Sequence, residues 1–223
     1  MEKTINIFGV EMGCMSAKEA MVNAIRFLED DPIDTIELMT MDMLMAGQDD
    51  TGWKEQVAAL DLVIPEEAEI LEAAGVQERN LLKEAGERTF LRMFMKYLQK
   101  NQGRIFLLAE SEEELKRLED ALRRYNRGVR VAGHAVLAER GAQEENVINE
   151  INGTETDCIF SVLPSPHQEH FITEYRALLK AKVWLGCGAV LGKSYDAMHL
   201  GKRIRHFFMK TLFRYRVERQ RGE

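Results

Sequence analysis

The strongest constraint on this chain is a repeated alternation of short apolar runs with longer stretches of helical periodicity. Each apolar run is rich in Val, Ile, Leu or Phe and is short, which favours strands covered on both faces of a sheet. The predicted strands are Ile5–Val10, Thr35–Met39, Leu62–Ile64, Arg104–Leu108, Val129–Ala132, Cys158–Val162 and Val183–Cys187. Because helical stretches separate these runs, we predict an α/β fold with a largely parallel sheet, right-handed crossovers and helices on both faces.

Polar residues and glycines follow most of these strands. The carboxyl ends of parallel strands meet at one edge of a sheet, and ligands bind along that edge in open α/β folds. The residues expected there are Thr40, Glu66, Ala109-Glu110, Gly133-His134, Leu163–His167 and Gly186–Gly188. We therefore expect one site at this edge of the sheet.

The stretch Asp61–Glu67 places acid directly after a buried strand. Its apolar run stops at Pro65, which has no N–H to donate to a neighbouring strand, and two carboxylates follow at once. Glu66 is therefore the first candidate for chemistry. The alternative is that Glu66 and Glu67 are only the acidic first turn of a helix Glu67–Ala73, where the helix dipole favours negative charge.

Capping patterns and loops divide the rest of the chain. Ser16–Glu19 and Ser111–Glu114 have the capping-box pattern that opens a helix, and the second helix is expected to run to about Tyr125. Further helices are predicted at Trp53–Leu60, Thr89–Lys100, Glu144–Asn152 and Pro166–Leu179. The charged stretch Gly75–Gly86 is predicted to be an irregular, mobile flap, with Arg79 and Arg88 as the cations nearest the expected site.

Composition excludes several classes of function. The chain has 223 residues, enough for one sizeable α/β core, and is 45% hydrophobic and 30% charged, which is ordinary for a globular protein. Its net charge of −7 makes nucleic acid a poor partner for the body of the chain. Cys14, Cys158 and Cys187 lack zinc-site spacing and are expected to be reduced thiols.

Met1–Gly9 lacks the pattern of a signal peptide, and the run Val183–Gly192 is too short to span a bilayer. Any membrane contact is therefore expected to be peripheral.

The carboxyl-terminal segment differs from the rest in charge. Leu200–Glu223 is rich in Lys and Arg, and apolar residues recur in it at helical spacing at Ile204, Phe208, Leu212 and Tyr215. A basic amphipathic helix of this kind can lie on an anionic bilayer, or it can pack on its own domain, and the residues alone leave both alternatives open. We predict a main domain at 1–199 and a basic amphipathic appendage at 200–223.

With these landmarks in place, the chain resembles the WecG/TagA/CpsF family of bacterial glycosyltransferases over nearly its full length. Six short patches match the family's motifs in the correct order. They are Thr40-Met41-Asp42, Leu62–Glu67, Arg88 ahead of Ile105–Leu108, Ile148–Asn152, Pro166–Glu169 and Phe213–Arg216 through Arg221.

This resemblance implies a Rossmann-like fold and an inverting, metal-independent hexosyltransferase without a cofactor. The implied reaction moves an N-acetylhexosamine, in known members N-acetylmannosamine, from a UDP-sugar donor to a polyprenyl-diphosphate-linked sugar. That chemistry belongs to cell-surface polysaccharide or teichoic acid synthesis. The implied setting is the cytoplasmic, inner face of the bacterial cell membrane, with self-association and membrane contact through the carboxyl-terminal appendage.

The resemblance, together with the expected edge, assigns candidate site residues. Glu66 is the candidate base, Thr40 is a second catalytic candidate, and Arg88 with Gln168 and the tail arginines would hold the diphosphate. The remaining substrate-binding candidates are Asp42, Glu67, His134, His167, Gly186, Gly188, Arg214 and Arg216.

The chain departs from the family pattern at several of these positions. Glu66-Glu67 replaces an aspartate-glycine pair, Ala109-Glu110 replaces a glycine pair, and His167 stands where the family has arginine. Loss of glycine removes places where backbone can approach a phosphate closely, and an added acid repels one. These departures leave an alternative: a family member with impaired catalysis that acts as a binding or scaffold protein.

Overall fold

A computed structural model describes residues 3–138, 143–188 and 200–222, without the side chains of residues 124–125, 200–208 and 221–222. The strands are β1 Thr4–Ile7, β2 Val10–Gly13, β3 Asp34–Met39, β4 Leu62–Pro65, β5 Arg104–Ala109, β6 Arg130–Val136, β7 Cys158–Ser161 and β8 Val183–Gly186. The helices are α1 Ala17–Glu29, α2 Met41–Gly47, α3 Thr51–Ala58, α4 Ala68–Ala73, α5 Arg79–Gly86, α6 Thr89–Lys100, α7 Glu112–Tyr125, α8 Glu144–Asn152, α9 His167–Tyr175 and α10 Leu200–Gly222.

The main sheet has six parallel strands in the order β4-β3-β8-β7-β5-β6. Helices cover both faces, so the predicted α/β fold with a parallel sheet is confirmed, and the architecture is Rossmann-like. One face packs on α1, α6 and α7 through residues such as Ala24 and Phe94. The other face packs on α8 and α9 through residues such as Ile151 and Phe171. The inner strands are buried on both sides, which is why their sequences show no polar alternation.

The predicted strand Ile5–Val10 is wrong in extent and in place. The segment is a hairpin of β1 and β2 that lies outside the main sheet. Its two turn residues, Phe8 and Gly9, have positive φ angles of 55° and 83°, as a tight hairpin turn requires. The sequence lacks the Asn-Gly signature of such turns, and the side chain of Phe8 is held by tertiary packing, edge-on against Phe213 at 5.7 Å between ring centroids.

Three other predicted elements need correction. The predicted flap Gly75–Gly86 contains the helix α5, which packs on α4 and α6. The strand expected to end at Gly133-His134 continues to Val136, because β6 pairs with β5 along its whole length. The predicted helix Pro166–Leu179 consists of α9 and a single 3-10 turn, Arg176–Leu178.

Local signals explain where the helices begin. Ser16 and Glu19 form the complete capping box at the start of α1, as predicted. Ser111 accepts a hydrogen bond from the Glu114 N–H at the start of α7. The helix α6 spans the predicted residues because its apolar side chains lie on one face, toward the sheet.

The carboxyl-terminal helix α10 packs on the body of the protein, against α2 and α4. Phe213 and Val217 are buried in this contact, and Lys210 pairs with Glu69 and Glu72 of α4 at 3.3 and 3.2 Å. The buried face of α10 therefore differs from the predicted apolar stripe, because Leu212 and Tyr215 are exposed. The side chains of Ile204 and Phe208, also in that stripe, lie outside the described residues. No helix in the described parts of the chain has the length and apolarity needed to cross a bilayer.

Candidate functional site

Polar residues gather where β4, β3 and β8 end. Met39 is in register with Pro65, and the Glu66 N–H donates to the Met39 carbonyl at 2.9 Å, so Thr40 and Glu66 lie on adjacent strand ends. On the other side of β3, Glu37 is in register with Gly186 of β8. The sheet therefore brings the ends of these three strands together at one edge.

Glu66 is a buried carboxyl whose surroundings favour its protonated form. Its side chain is 2% exposed, and its Oε1 has no hydrogen-bond partner among the described residues. Burial raises the pKa of Glu66 to about 8; the nearby Arg88 opposes this rise and Glu67 adds to it. A carboxyl with this pKa is close to the range in which a general base works best.

A small cavity lies beside Glu66. Its volume is about 20 Å³, which is room for roughly one water molecule. The walls come from the start of α1 and from Leu71, Leu81 and Ala85 of α4 and α5. Glu84 of α5 accepts a hydrogen bond from the Ala17 N–H at 2.8 Å and so links α5 to the start of α1. The cavity admits a hydroxyl group but not a sugar ring.

The predicted site residues Thr40 and Glu67 both bind the amino end of α2. The Thr40 hydroxyl accepts from the Met43 N–H at 3.3 Å, and Glu67 Oε2 accepts from the Met41 N–H at 2.7 Å. Asp42 lies half-buried in the first turn of the same helix. The carboxylate of Glu67 thus satisfies an amide that the helix cannot pair internally.

Gln168 lies at the start of α9 and joins two strands. Its side-chain Nε2 donates to Glu37 Oε1 at 2.7 Å, and its Oε1 accepts from the Gly188 N–H at 3.3 Å. Gly186 leaves the space that this pair fills, because a Cβ at Gly186 would come within 2.1 Å of Glu37 Oε2. Gly188 has a φ of +45°, which glycine adopts without strain.

Two further acids surround this network. Glu169 is fully buried, and neither of its carboxyl oxygens has a hydrogen-bond partner within the described structure. Burial raises its pKa, while Ser165 and Trp53, whose side chains bond each other at 2.9 Å, are close enough to lower it. Burial raises the pKa of Glu37 well above its usual value, and the charge of Glu169 adds a smaller rise.

Cys187, directly after β8, is influenced by both Glu37 and Glu66. Its thiol is fully buried, and burial raises its pKa. Glu37 and Glu66 raise that pKa further, and Arg88 lowers it. Glu37, Glu66 and Arg88 therefore all lie within electrostatic reach of this one buried thiol.

Other predicted residues lie at different distances from this cluster. His167 is buried beside Gln168 at the start of α9. His134 lies within β6, at the opposite border of the sheet from β4, with its Nδ1 3.7 Å from Glu119 of α7. Arg214 is exposed and Arg216 half-buried on α10, the helix that packs on α2 and α4. The structure brings Thr40, Glu66, Arg88, Gln168 and the two glycines together and leaves His134 apart.

Sequence reasoning missed Glu37 and gave Glu169 no role. The available signal for Glu37 was a charged residue inside the otherwise apolar end of β3, Ile36–Met39. Charged side chains are almost never fully buried unless they are paired. Within the described residues, no group of three or more His, Cys, Asp or Glu side chains is placed to hold a metal ion.

The fold and this edge define a class: an α/β protein with a Rossmann-like parallel sheet and a cluster of polar residues where β4, β3 and β8 end. Comparison with protein families narrows this class. The chain belongs to the glycosyl transferase WecG/TagA/CpsF family, whose model matches residues 5–193, and the predicted resemblance is confirmed. The family supports a glycosyltransferase role in cell-surface polysaccharide synthesis. A search of individual curated proteins gives no match.

Proposed function

We propose that this protein transfers an N-acetylhexosamine from a UDP donor to a polyprenyl-diphosphate-linked sugar, with inversion at the anomeric carbon. The observation that carries the proposal is Glu66: a buried carboxyl at the end of β4, with a raised pKa and Arg88 close by. The ionised carboxylate in this position can accept a proton from an incoming hydroxyl, and the cation can oppose the charge of a departing diphosphate.

The proposed step needs no metal or cofactor. The acceptor hydroxyl oxygen attacks the anomeric carbon of the donor sugar and forms the new glycosidic bond. The bond between that carbon and the β-phosphate oxygen breaks, and UDP leaves with the bonding electron pair. The ionised Glu66 carboxylate takes the hydroxyl proton, while Arg88 and Gln168, with Arg214 and Arg216 of α10, hold the diphosphate.

Because the proposed acceptor is linked to a lipid, the proposal places the protein at a membrane. The body, residues 1–199, carries the site, and the basic segment 200–223 meets anionic lipid at the inner face of the cell membrane. Thr40 and Asp42 place the acceptor or donor sugar from the first turn of α2. Self-association belongs to the same proposal, since the family resemblance implies it.

Titration with UDP tests the donor site directly. We expect saturable heat release when UDP is added to the full-length protein in a calorimeter, and a weaker response from Arg88→Ala. The absence of heat with millimolar UDP would contradict the enzyme proposal. It would favour a second candidate, a binding or scaffold protein of the same family, which the Ala109-Glu110 pair already motivates by placing acid after β5.

Replacement of Glu66 separates chemistry from binding. Glu66→Gln should lower transfer of sugar to a soluble lipid-linked acceptor analogue by about 10²–10⁴-fold, because a general base is lost. UDP affinity should stay nearly unchanged. In the wild type, kcat/KM should rise with pH through about 8, because only the ionised carboxylate accepts a proton.

The matched control is Glu144→Gln, which alters another buried carboxyl whose partner is the Tyr175 hydroxyl at 2.8 Å. This variant should keep full transfer activity. Equal turnover in wild type and Glu66→Gln would remove Glu66 from the mechanism.

A further inference from the structure

Glu37 lies fully buried within β3, between β4 and β8. A carboxyl in such a position costs free energy unless its polar atoms are hydrogen-bonded. One of its oxygens, Oε2, has no hydrogen-bond partner in the described structure. The hydrogen bonds of Glu37 therefore offset the free-energy cost of its burial only in part. The position calls for a reason other than packing, since an apolar residue there would carry no such cost.

The other oxygen of Glu37 determines how the Gln168 amide is oriented. Gln168 Nε2 faces Glu37 Oε1 at 2.7 Å and donates to it. Gln168 Oε1 is then left to accept from the Gly188 N–H at 3.3 Å. A chain of two hydrogen bonds therefore runs from the middle of β3, through the start of α9, to the backbone that follows β8.

The space around this chain is closed. A Cβ at Gly186 would lie 2.1 Å from Glu37 Oε2 and 2.8 Å from Gln168 Nε2, so the two side chains already fill the room that the glycine leaves. Alternative rotamers of either side chain have little space on this side. The arrangement leaves one N–H and one lone pair of the Gln168 amide for further bonds.

We propose that Glu37 is a positioning residue of the sugar-transfer site, which holds the Gln168 amide and, through it, the backbone at Gly188 in the orientation that meets the donor. This inference rests on the proposed function for its link to the donor. The hydrogen-bond chain itself does not depend on that function and is tested separately.

Hydrogen exchange followed by NMR tests the chain without any ligand. In wild type, the Gly188 amide and the Gln168 side-chain amide should exchange more slowly than the exposed Gln77 side-chain amide. Glu37→Met should speed exchange at Gly188 by about ten-fold or more, because a protecting bond is lost. The Cys187 amide, bonded to the Ser161 carbonyl at 2.8 Å, should change much less.

Glu37→Gln is the conservative variant that should restore the arrangement. It keeps an acceptor for Gln168 Nε2 and should keep slow exchange at Gly188. Fast exchange of the Gln168 side-chain amide in wild type would overturn the proposal even if Glu37→Met failed to fold. Unchanged protection of Gly188 in a folded Glu37→Met protein would overturn it as well.

Binding of UDP then tests the link to the donor. Glu37→Met should weaken UDP binding by about ten-fold or more, a loss of roughly 1.4 kcal/mol, and raise the donor KM more than it lowers kcat. Glu37→Gln should stay close to wild type. The control Glu144→Met loses a comparably buried carboxyl, bonded to Tyr175, and should lose stability without loss of UDP affinity.

These outcomes separate the two proposals. If wild type binds no UDP, the proposed function fails, while the exchange experiment still decides whether Glu37 holds Gln168 and Gly188. If UDP binds wild type and Glu37→Met equally well, the positioning role fails and the proposed function stands. Equal loss of UDP affinity in Glu37→Met and Glu144→Met would show a general effect on stability and would also overturn the positioning role.

Discussion

Three glutamates, one within β3 and two directly after β4, have different environments. Glu67 accepts a backbone N–H from α2 at 2.7 Å. Glu66 and Glu37 are buried, and burial raises the pKa of each. The environment of a carboxyl therefore depends on what surrounds it in the folded chain, even for sequence neighbours such as Glu66 and Glu67.

The raised pKa of Glu66 predicts a dependence of stability on pH. Because its pKa is about 8 in the folded protein and near 4.5 in the unfolded chain, the folded state binds more protons between these values. The free energy of unfolding should therefore fall as pH rises from about 4.5 to 8, by roughly 3–5 kcal/mol from this group. Glu66→Gln should remove that fall.

Urea unfolding at several pH values measures the effect. Glu66→Gln and wild type should be about equally stable near pH 4.5, and the variant should be the more stable near pH 9 by a few kcal/mol. A constant stability difference across this range would contradict the assigned pKa. Glu144→Gln is the control.

Gly186 should not tolerate a side chain. Gly186→Ala places a Cβ 2.1 Å from Glu37 Oε2 and should lower the free energy of unfolding by about 2–3 kcal/mol, as overpacking does. Glu37→Ala in the same chain should recover part of the loss, since it removes the clashing atoms. Gly52→Ala in α3 is the control; its Cβ meets only Asp50 Oδ1 at 3.4 Å, and stability should be unchanged or slightly higher.

At the scale of elements, α4 and α5 line part of the cavity beside Glu66. They form walls of the 20 Å³ cavity, which is too small for a sugar. The Glu84 carboxylate joins α5 to the start of α1, and the exposed pair Lys3–Glu78 lies at the start of the same helix. The segment that the sequence indicated as a flap is helical, and its Leu81 and Ala85 line the cavity beside the candidate base.

Loss of the Glu84 contact should loosen the attachment of α5 to α1. Glu84→Ala removes the acceptor for the Ala17 N–H and should cost about 1 kcal/mol of stability, as loss of a helix cap does. Amide exchange within α5 should become faster than in wild type, while exchange in α6 stays slow. Lys83→Ala, which alters an exposed residue of the same helix, is the control. Equal exchange in α5 of both variants would contradict a latching role for Glu84.

At the scale of the whole molecule, a basic helix rests on an acidic body. The chain has a net charge of −7, yet α10 is rich in Arg and Lys. Phe213 and Val217 attach the helix to the body, and Leu212 and Tyr215 face outward beside Arg214. Packing on the domain therefore uses one face of this helix, and the membrane contact that we propose would use the other, exposed face.

Vesicle sedimentation tests the outward face. Leu212→Ser with Tyr215→Ser should reduce sedimentation of the protein with anionic vesicles several-fold and leave its thermal stability unchanged, because both side chains are exposed. Phe213→Ala should instead lower stability by about 3–4 kcal/mol, since it empties a buried site. Equal sedimentation of wild type and the double variant would leave α10 as a packing helix only.

The sequence alone determined the order of strands and helices of the main sheet, the position of most helix starts, and the gathering of Thr40, Glu66 and Gln168 at one edge. These depend on apolar periodicity and local capping, which are properties of short segments. Only the tertiary structure decided the hairpin at Phe8-Gly9, the outward face of α10 and the burial of Glu37 beside Gln168. Each of these depends on contacts between residues far apart in the chain, such as Phe8 with Phe213 and Glu37 with Gln168, and no local pattern encodes such contacts.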